Sequence, residues 1–142
     1  MEERLEKFIT KQEHSYQNAL SEITAGKKTS HWMWYIFPQL AGLGYSEMAK
    51  HFAIADIGEA QAYLNHPILG QRLIEISTAL LQQKSNNATA IFGSPDDLKL
   101  RSCMTLFSIV KNADPIFEQV LEKFFDGEKD PLTLALTRWP SN

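Results

Sequence analysis

The sequence predicts an all-α protein, a single compact orthogonal bundle of about seven or eight helices spanning residues 1–142. Three observations carry that prediction. Apolar residues recur at helical spacing along most of the chain, so that each segment has one face to bury. Four prolines, Pro67, Pro95, Pro115 and Pro131, directly follow a residue able to cap a helix and precede a periodic run. Strand evidence is thin: residues 88–92 are apolar but too short and isolated to build a sheet.

The first helix is predicted over 2–24, where Leu5, Phe8, Ile9, Tyr16, Leu20 and Ile23 share a face and Gly26 stops the chain. Ser46 caps a helix carrying Met48, Phe52 and Ile54, and Asp56 with Glu59 forms a capping box for a short helix through Leu64. Over 67–83 the set Ile68, Leu69, Leu73, Ile76, Leu80 and Leu81 makes an amphipathic helix, ended by the polar break at 84–87. Residues 95–112 are apolar on more than one face, which makes this helix central; Asp96 and Asp97 in its first turn suit the macrodipole. Phe117, Val120, Leu121, Phe124 and Phe125 define a helix over 115–126 closed by Gly127, and a last short helix covers 131–138. Pro140 lies in the tail.

Composition excludes several classes. The chain is 44% hydrophobic and 22% charged, and no apolar stretch approaches the ~20 residues needed to span a bilayer, so no membrane association is expected. The charged start, Met1-Glu2-Glu3-Arg4, has no signal-peptide core, and the one cysteine, Cys103, excludes an internal disulfide; both agree with a cytoplasmic location. A net charge of −3 gives no general attraction to nucleic acid, which is not expected as a partner.

The densest chemistry lies in Ser30-His31-Trp32-Met33-Trp34-Tyr35-Ile36-Phe37-Pro38-Gln39, followed by Gly42 and Gly44. A helical turn here places Trp32, Tyr35 and Ile36 together, whereas an extended segment alternates the rings between two sides. Either geometry buries one subset and leaves another at a pocket wall. Rings there stack planar ligands, and the glycines allow close backbone approach. Just upstream, Lys27, Lys28, Thr29 and Ser30 offer an anion-binding edge, with His31 as a donor or acid–base group. The bland alternative is that the rings are core, the glycines make turns and His31 bonds a carbonyl.

A second constellation lies on the central helix, where Asp97, Arg101 and Thr105 fall four apart with Ser102 beside them. Arg101 is either reserved for an anionic ligand or paired with Asp97, with Thr105 bonded to the backbone. Glu47 and His51 share a helix face but lack a third ligand, so no metal is expected; no cofactor is expected either. Cys103 has no nucleophile's surroundings and is read as packing.

Taken with Ala62-Tyr63-Leu64, His66-Pro67 and Asp97-Leu98-Lys99-Leu100-Arg101-Ser102, the tryptophan segment resembles a bacterial family of domains of unknown function, often labelled "calpastatin". The resemblance covers nearly the whole chain and implies an all-helical fold, as in mycobacterial relatives, but supplies no reaction. An inhibitor of the calpastatin kind is disordered and repetitive, and this sequence is neither.

Two functions follow. One is binding, with or without hydrolysis, of a small anionic or nucleotide-like molecule in a Trp-lined pocket. That pocket would draw on Lys28, His31, Trp32, Trp34, Tyr35, Gln39, Gly42, Gly44, Arg101, Ser102 and Thr105. In the catalytic version His31 or Asp97 is the acid–base group and Arg101 holds the anion. The other is a non-catalytic helical module whose exposed rings bind a protein partner.

Overall fold

A computed structural model describes residues 2–138, and Pro140 lies outside them. In chain order its helices are α1 (Glu2–Thr24), α2 (Met33–Ile36), α3 (Glu47–His51), α4 (Ile57–Asn65), α5 (Leu69–Leu81), α6 (Ala88–Phe92), α7 (Asp96–Ser108), α8 (Ile116–Phe125) and α9 (Pro131–Thr137). The described residues hold no strand; one isolated parallel bridge joins Leu40 to Ile54. The two helices beyond the seven derived from the sequence are α2 and α6. Each is a single turn, too short to show a period, and α6 is started by the Asn87 side chain accepting from the Ala90 N–H at 3.1 Å.

Helix ends follow local chemistry. Gly26, at φ +87°, turns the chain out of α1 as only glycine does freely. Asp56 accepts the Glu59 N–H at 2.8 Å, while the Glu59 carboxylate reaches back to the Ala55 N–H at 3.0 Å, one residue beyond the usual box partner. Its second oxygen pairs with Arg4 of α1 at 2.9 Å, which ties α4 to α1.

Three details differ from the pattern read in the sequence. Among the four cap-following prolines only Pro131 occupies a first helical position; Pro95 and Pro115 are themselves the N-caps of α7 and α8, and Pro67 precedes the cap Ile68. The capping work falls to the residue upstream: His66 Nδ1 accepts from the Ile68 and Leu69 N–H groups at 3.1 and 3.3 Å, and Asp114 accepts from Ile116 at 2.9 Å. The Ser46-capped helix α3 ends at His51, before Phe52 and Ile54, because Ile54 exchanges backbone hydrogen bonds with Gln39 and Ala41 instead.

Helix α7 lies at the centre, with eight of its 13 residues buried. It packs on α8, α4, α6 and α9, while α5 packs on α1, α4 and α8. A file of rings runs through this core: Tyr35, Phe52, Phe8, Tyr63, Phe107 and Phe117 touch in succession at centroid distances of 5.2–5.9 Å. Such contacts add about 0.5–1.5 kcal/mol each beyond the area they bury. Cys103 sits fully covered here, and burial pushes its thiol well above the usual range, consistent with packing.

Several polar groups inside the core are matched. Gln12 donates to the Tyr35 carbonyl at 2.8 Å and the Tyr63 hydroxyl at 3.1 Å, and accepts from Arg72 at 3.3 Å. The Tyr16 hydroxyl donates to Glu75. Burial, then the Glu75 contact, raises the Tyr16 phenol far above its ordinary value, so it stays a donor.

The tightest approach joins α4 to α5. A Cβ on Gly70 would overlap the Leu64 carbonyl, which is backbone and cannot rotate away. Gly70→Ala is expected to lower stability by about 3 kcal/mol, read from urea denaturation at constant m-value.

Candidate functional site

The helical turn of α2 divides the aromatic segment. Trp32, Met33, Tyr35, Ile36 and Phe37 are buried, whereas Trp34 is only partly covered and lines a cleft whose wall Met33 and Phe37 also reach. Trp32 is 1% exposed, and its ring packs with Phe37 and Phe92 at 6.1 and 6.4 Å. Its indole N–H donates to Glu22 Oε1 at 2.9 Å.

That glutamate organises the approach to the segment. Its two oxygens also accept from the Thr29 and Ser30 N–H groups at 2.7 and 2.9 Å, the Ser30 hydroxyl at 2.6 Å and the Asn18 amide at 2.8 Å. Partial burial alone would raise the Glu22 carboxyl, but the hydrogen bonds from Ser30, Thr29 and Trp32 outweigh it and lower the group from 4.5 to about 2.

Beyond Trp34 the chain forms the floor of a cleft of about 180 Å³. The bridge to Ile54 holds Gln39 and Ala41, with the Ile54 N–H donating to Gln39 at 2.9 Å and the Ala41 N–H donating to Ile54 at 2.8 Å. Gly42 takes φ +98°, and Gly44 lets α3 lie flush, since a Cβ there would stand 2.6 Å from the Ala49 Cβ. One part of the lining comes from Ala49, Lys50 and Phe52 at α3 and its end, and another from Lys99 of α7.

The polar lining is of one kind. Lys99 Nζ lies 5.3 Å from the Trp34 ring centre and 3.4 Å from Asp96, whose other oxygen binds Lys28 at 2.9 Å. Lys50 has no ion-pair partner among the described residues. The Trp34 indole N–H and the Gln39 side-chain amide have no hydrogen-bond partner among them either. No carboxylate, imidazole or thiol is among the described side chains that line the cleft.

The sequence-derived candidates therefore separate. Trp34, Gln39, Gly42 and Gly44 line the cleft. Trp32 and Tyr35 are core, and the Tyr35 hydroxyl is held by Ser15 and the His31 carbonyl, each at 3.3 Å. The Lys28 side chain is 7% exposed, stacked at 5.0 Å on Trp32 and bound to Asp96, so it is no free anion hook. His31 is exposed on the loop outside the cleft, which removes it as an acid–base group for a ligand held there. Asp97 is also elsewhere, accepting from the Thr89 hydroxyl at 2.5 Å and the Leu98 N–H at 2.9 Å.

Arg101, Ser102 and Thr105 have a structural assignment. Arg101 does not pair with Asp97; it donates to the Glu128 and Lys129 carbonyls, each at 2.9 Å. Ser102 donates to Asp130 at 3.0 Å, and the Thr105 hydroxyl accepts the Asp130 N–H at 2.9 Å while donating to the Arg101 carbonyl at 2.8 Å. These three side chains lock α7 to the turn that leads into α9. Lys99, outside the candidates read from the sequence, lines the cleft beside Trp34. It stands two positions from Arg101, about 200° around a helix, so one stretch of α7 serves opposite faces. Its visible signal was the Asp96 spaced at i,i+3. Among the described residues no three His, Cys, Asp or Glu side chains converge to hold a metal.

The chain belongs to the family described as protein of unknown function DUF1810, whose model matches residues 2–137. It is similar to the crystal structure of the conserved hypothetical protein Rv1873 from Mycobacterium tuberculosis: 43% identical, with a TM-score of 0.92, covering 94% of this chain and 96% of that one. No curated protein matches. No described helix is long and apolar enough to cross a membrane.

Two expected outcomes follow from these contacts. Glu22→Ala, which leaves five donors without their acceptor, is expected to cost about 3 kcal/mol. Because the folded carboxyl titrates lower than the unfolded one, its contribution is complete above pH 4.5 and fades as pH falls to about 2. Denaturation of the wild type at stepped pH will show that acid limb, and the variant will lack it. Arg101→Ala is expected to lose about 1–3 kcal/mol, a fall of several degrees in Tm, with the α7–α9 contact loosened and the cleft intact. Calorimetry and backbone NMR shifts confined to 128–133 check this.

Proposed function

We propose that the chain binds a small planar molecule carrying an anionic, acceptor-rich group, of nucleotide-like or otherwise phosphorylated chemistry, in the cleft beneath Trp34. The observation that carries this reading is the lining itself. A half-buried indole, with one ammonium group 5.3 Å from its ring centre, lines the cleft together with a second ammonium group and the Gln39 amide, with no carboxylate among the described lining side chains. A stacking face rewards a flat ring, and unpaired donors reward a ligand rich in acceptors.

The enclosed space of about 180 Å³ suits one heterocycle rather than a whole nucleotide, so the anionic group would lie at the rim toward Lys50 and Lys99. Gln39 offers both an amide donor and a carbonyl acceptor, the pair that reads one edge of a base. The recessed position of Trp34 favours such a ligand over a protein partner, for which a flat ring surface would serve better. Binding, rather than hydrolysis by His31 or Asp97, is the activity proposed, because neither group lines the cleft.

Thermal shift and calorimetric titration with the four nucleoside 5′-monophosphates, their nucleosides and inorganic phosphate test this. At least one monophosphate is expected to stabilise the protein by several degrees and to outperform both its nucleoside and phosphate alone. Trp34→Ala and Lys99→Ala should each weaken that binding tenfold or more, while Arg101→Ala should leave it unchanged after correction for its lower Tm. No shift with any nucleotide, or full retention in Lys99→Ala, would sink the reading.

A further inference from the structure

Next to the cleft, and sharing Gln39, Gly44, Ala49 and Lys99 with it, lies a more open depression of about 370 Å³. The two most exposed large hydrophobic side chains among the described residues, Tyr45 at 85% and Leu98 at 56%, both line it. Single exposed apolar side chains are common on protein surfaces, but two at one depression that adjoins a cleft are not scattered. Lys99 is the one cation lining both spaces among the described residues: it shares the cleft with the indole, 5.3 Å from its centre, and the depression with Leu98 and Tyr45.

Resting on the cleft reading above, we infer that the ligand is a two-ring molecule joined through an anionic linker, a dinucleotide-like phosphodiester. Its first ring sits against Trp34, its linker phosphate on Lys99, and its second ring against Tyr45 and Leu98. The order of groups along the surface is ring face, cation, ring face, which is the order of chemistry along a dinucleoside phosphate. A mononucleotide would fill the enclosed part and leave the tyrosine and leucine wet. A second base would cover them, and stacking of a base on an aromatic side chain is sequence-tolerant and strong. Asp96 acts as a positioning residue: it anchors on buried Lys28 and holds Lys99 at the junction through a 3.4 Å contact.

The test compares the four nucleoside 5′-monophosphates with the corresponding homodinucleoside monophosphates, ApA, GpG, CpC and UpU, by calorimetric titration. A dinucleoside monophosphate carries less negative charge than a 5′-mononucleotide, so any gain reports the second ring and not charge. At least one dinucleoside monophosphate is expected to bind about tenfold tighter than the best mononucleotide. Tyr45→Ala should erase that gain without changing mononucleotide affinity, and Tyr45→Phe should keep it. Tyr45 is 85% exposed, so its removal disturbs little packing. If mononucleotides bind and the dinucleoside monophosphates bind no tighter, or if Tyr45→Ala leaves their affinity unchanged, the two-ring inference is overturned and the cleft reading stands. If no nucleotide of either kind binds, both fall.

Discussion

The architecture of the site depends on where Trp32 is held. Its indole fills the space beside Phe37 and Phe92, and Glu22 fixes it by accepting the ring N–H together with the backbone that leads into it. Once Trp32 is seated, the helical turn that follows has no freedom in what it presents. Tyr35 and Ile36 go inward, and Trp34 is turned toward the cleft, which buried Met33 also lines. One carboxylate on α1 thereby sets the direction of a side chain twelve positions later. A charge-assisted acceptor serving several donors is well suited to this, because each bond strengthens the case for the same loop geometry.

Helix α7 carries the second constraint, and it works on two faces. Arg101, Ser102 and Thr105 satisfy the backbone and side chain of the turn at 128–130, a region where unpaired carbonyls would otherwise face a buried helix. On the opposite side Asp96 gathers Lys28 and Lys99 against Trp32 and Trp34. The same polar stretch therefore anchors the C-terminal helix and supplies the cation at the cleft. Since Asp96 is shared between two lysines, the group retains net positive charge where the described cleft lining has no acid of its own.

The electrostatics explain which sequence candidates left the site. Lys28 is a basic residue in a basic run, yet burial beside Trp32 obliges it to keep a counter-ion, and Asp96 is that counter-ion. Asp97 satisfies Thr89 and the first turn of its own helix rather than Arg101, because a carboxylate at a helix start gains more from nearby N–H and O–H donors than from a guanidinium already engaged with two carbonyls. Lys50 and Lys99, in contrast, reach a surface where a ligand can compete for them.

Much of the framework was legible because it rests on periodicity and caps. The long α1 with its Gly26 stop, the Asp56–Glu59 start of α4, the two-sided burial of α7 and the all-helical class all follow from spacing that local physics reads directly. Single-turn helices at 33–36 and 88–92 were not legible as elements, since five residues or fewer hold no period and depend on what they pack against. The tryptophan segment was recognisable as the densest chemistry in the chain, and the structure brings its Trp34, Gln39, Gly42 and Gly44 together at one cleft. Which of its rings would be core, and that Lys99 rather than Arg101 would face them, was decided only by tertiary packing. Residues two apart on a helix point in nearly opposite directions, and only the neighbours of α7, the α8–α9 turn on one side and Trp34 on the other, determine which direction is the cleft.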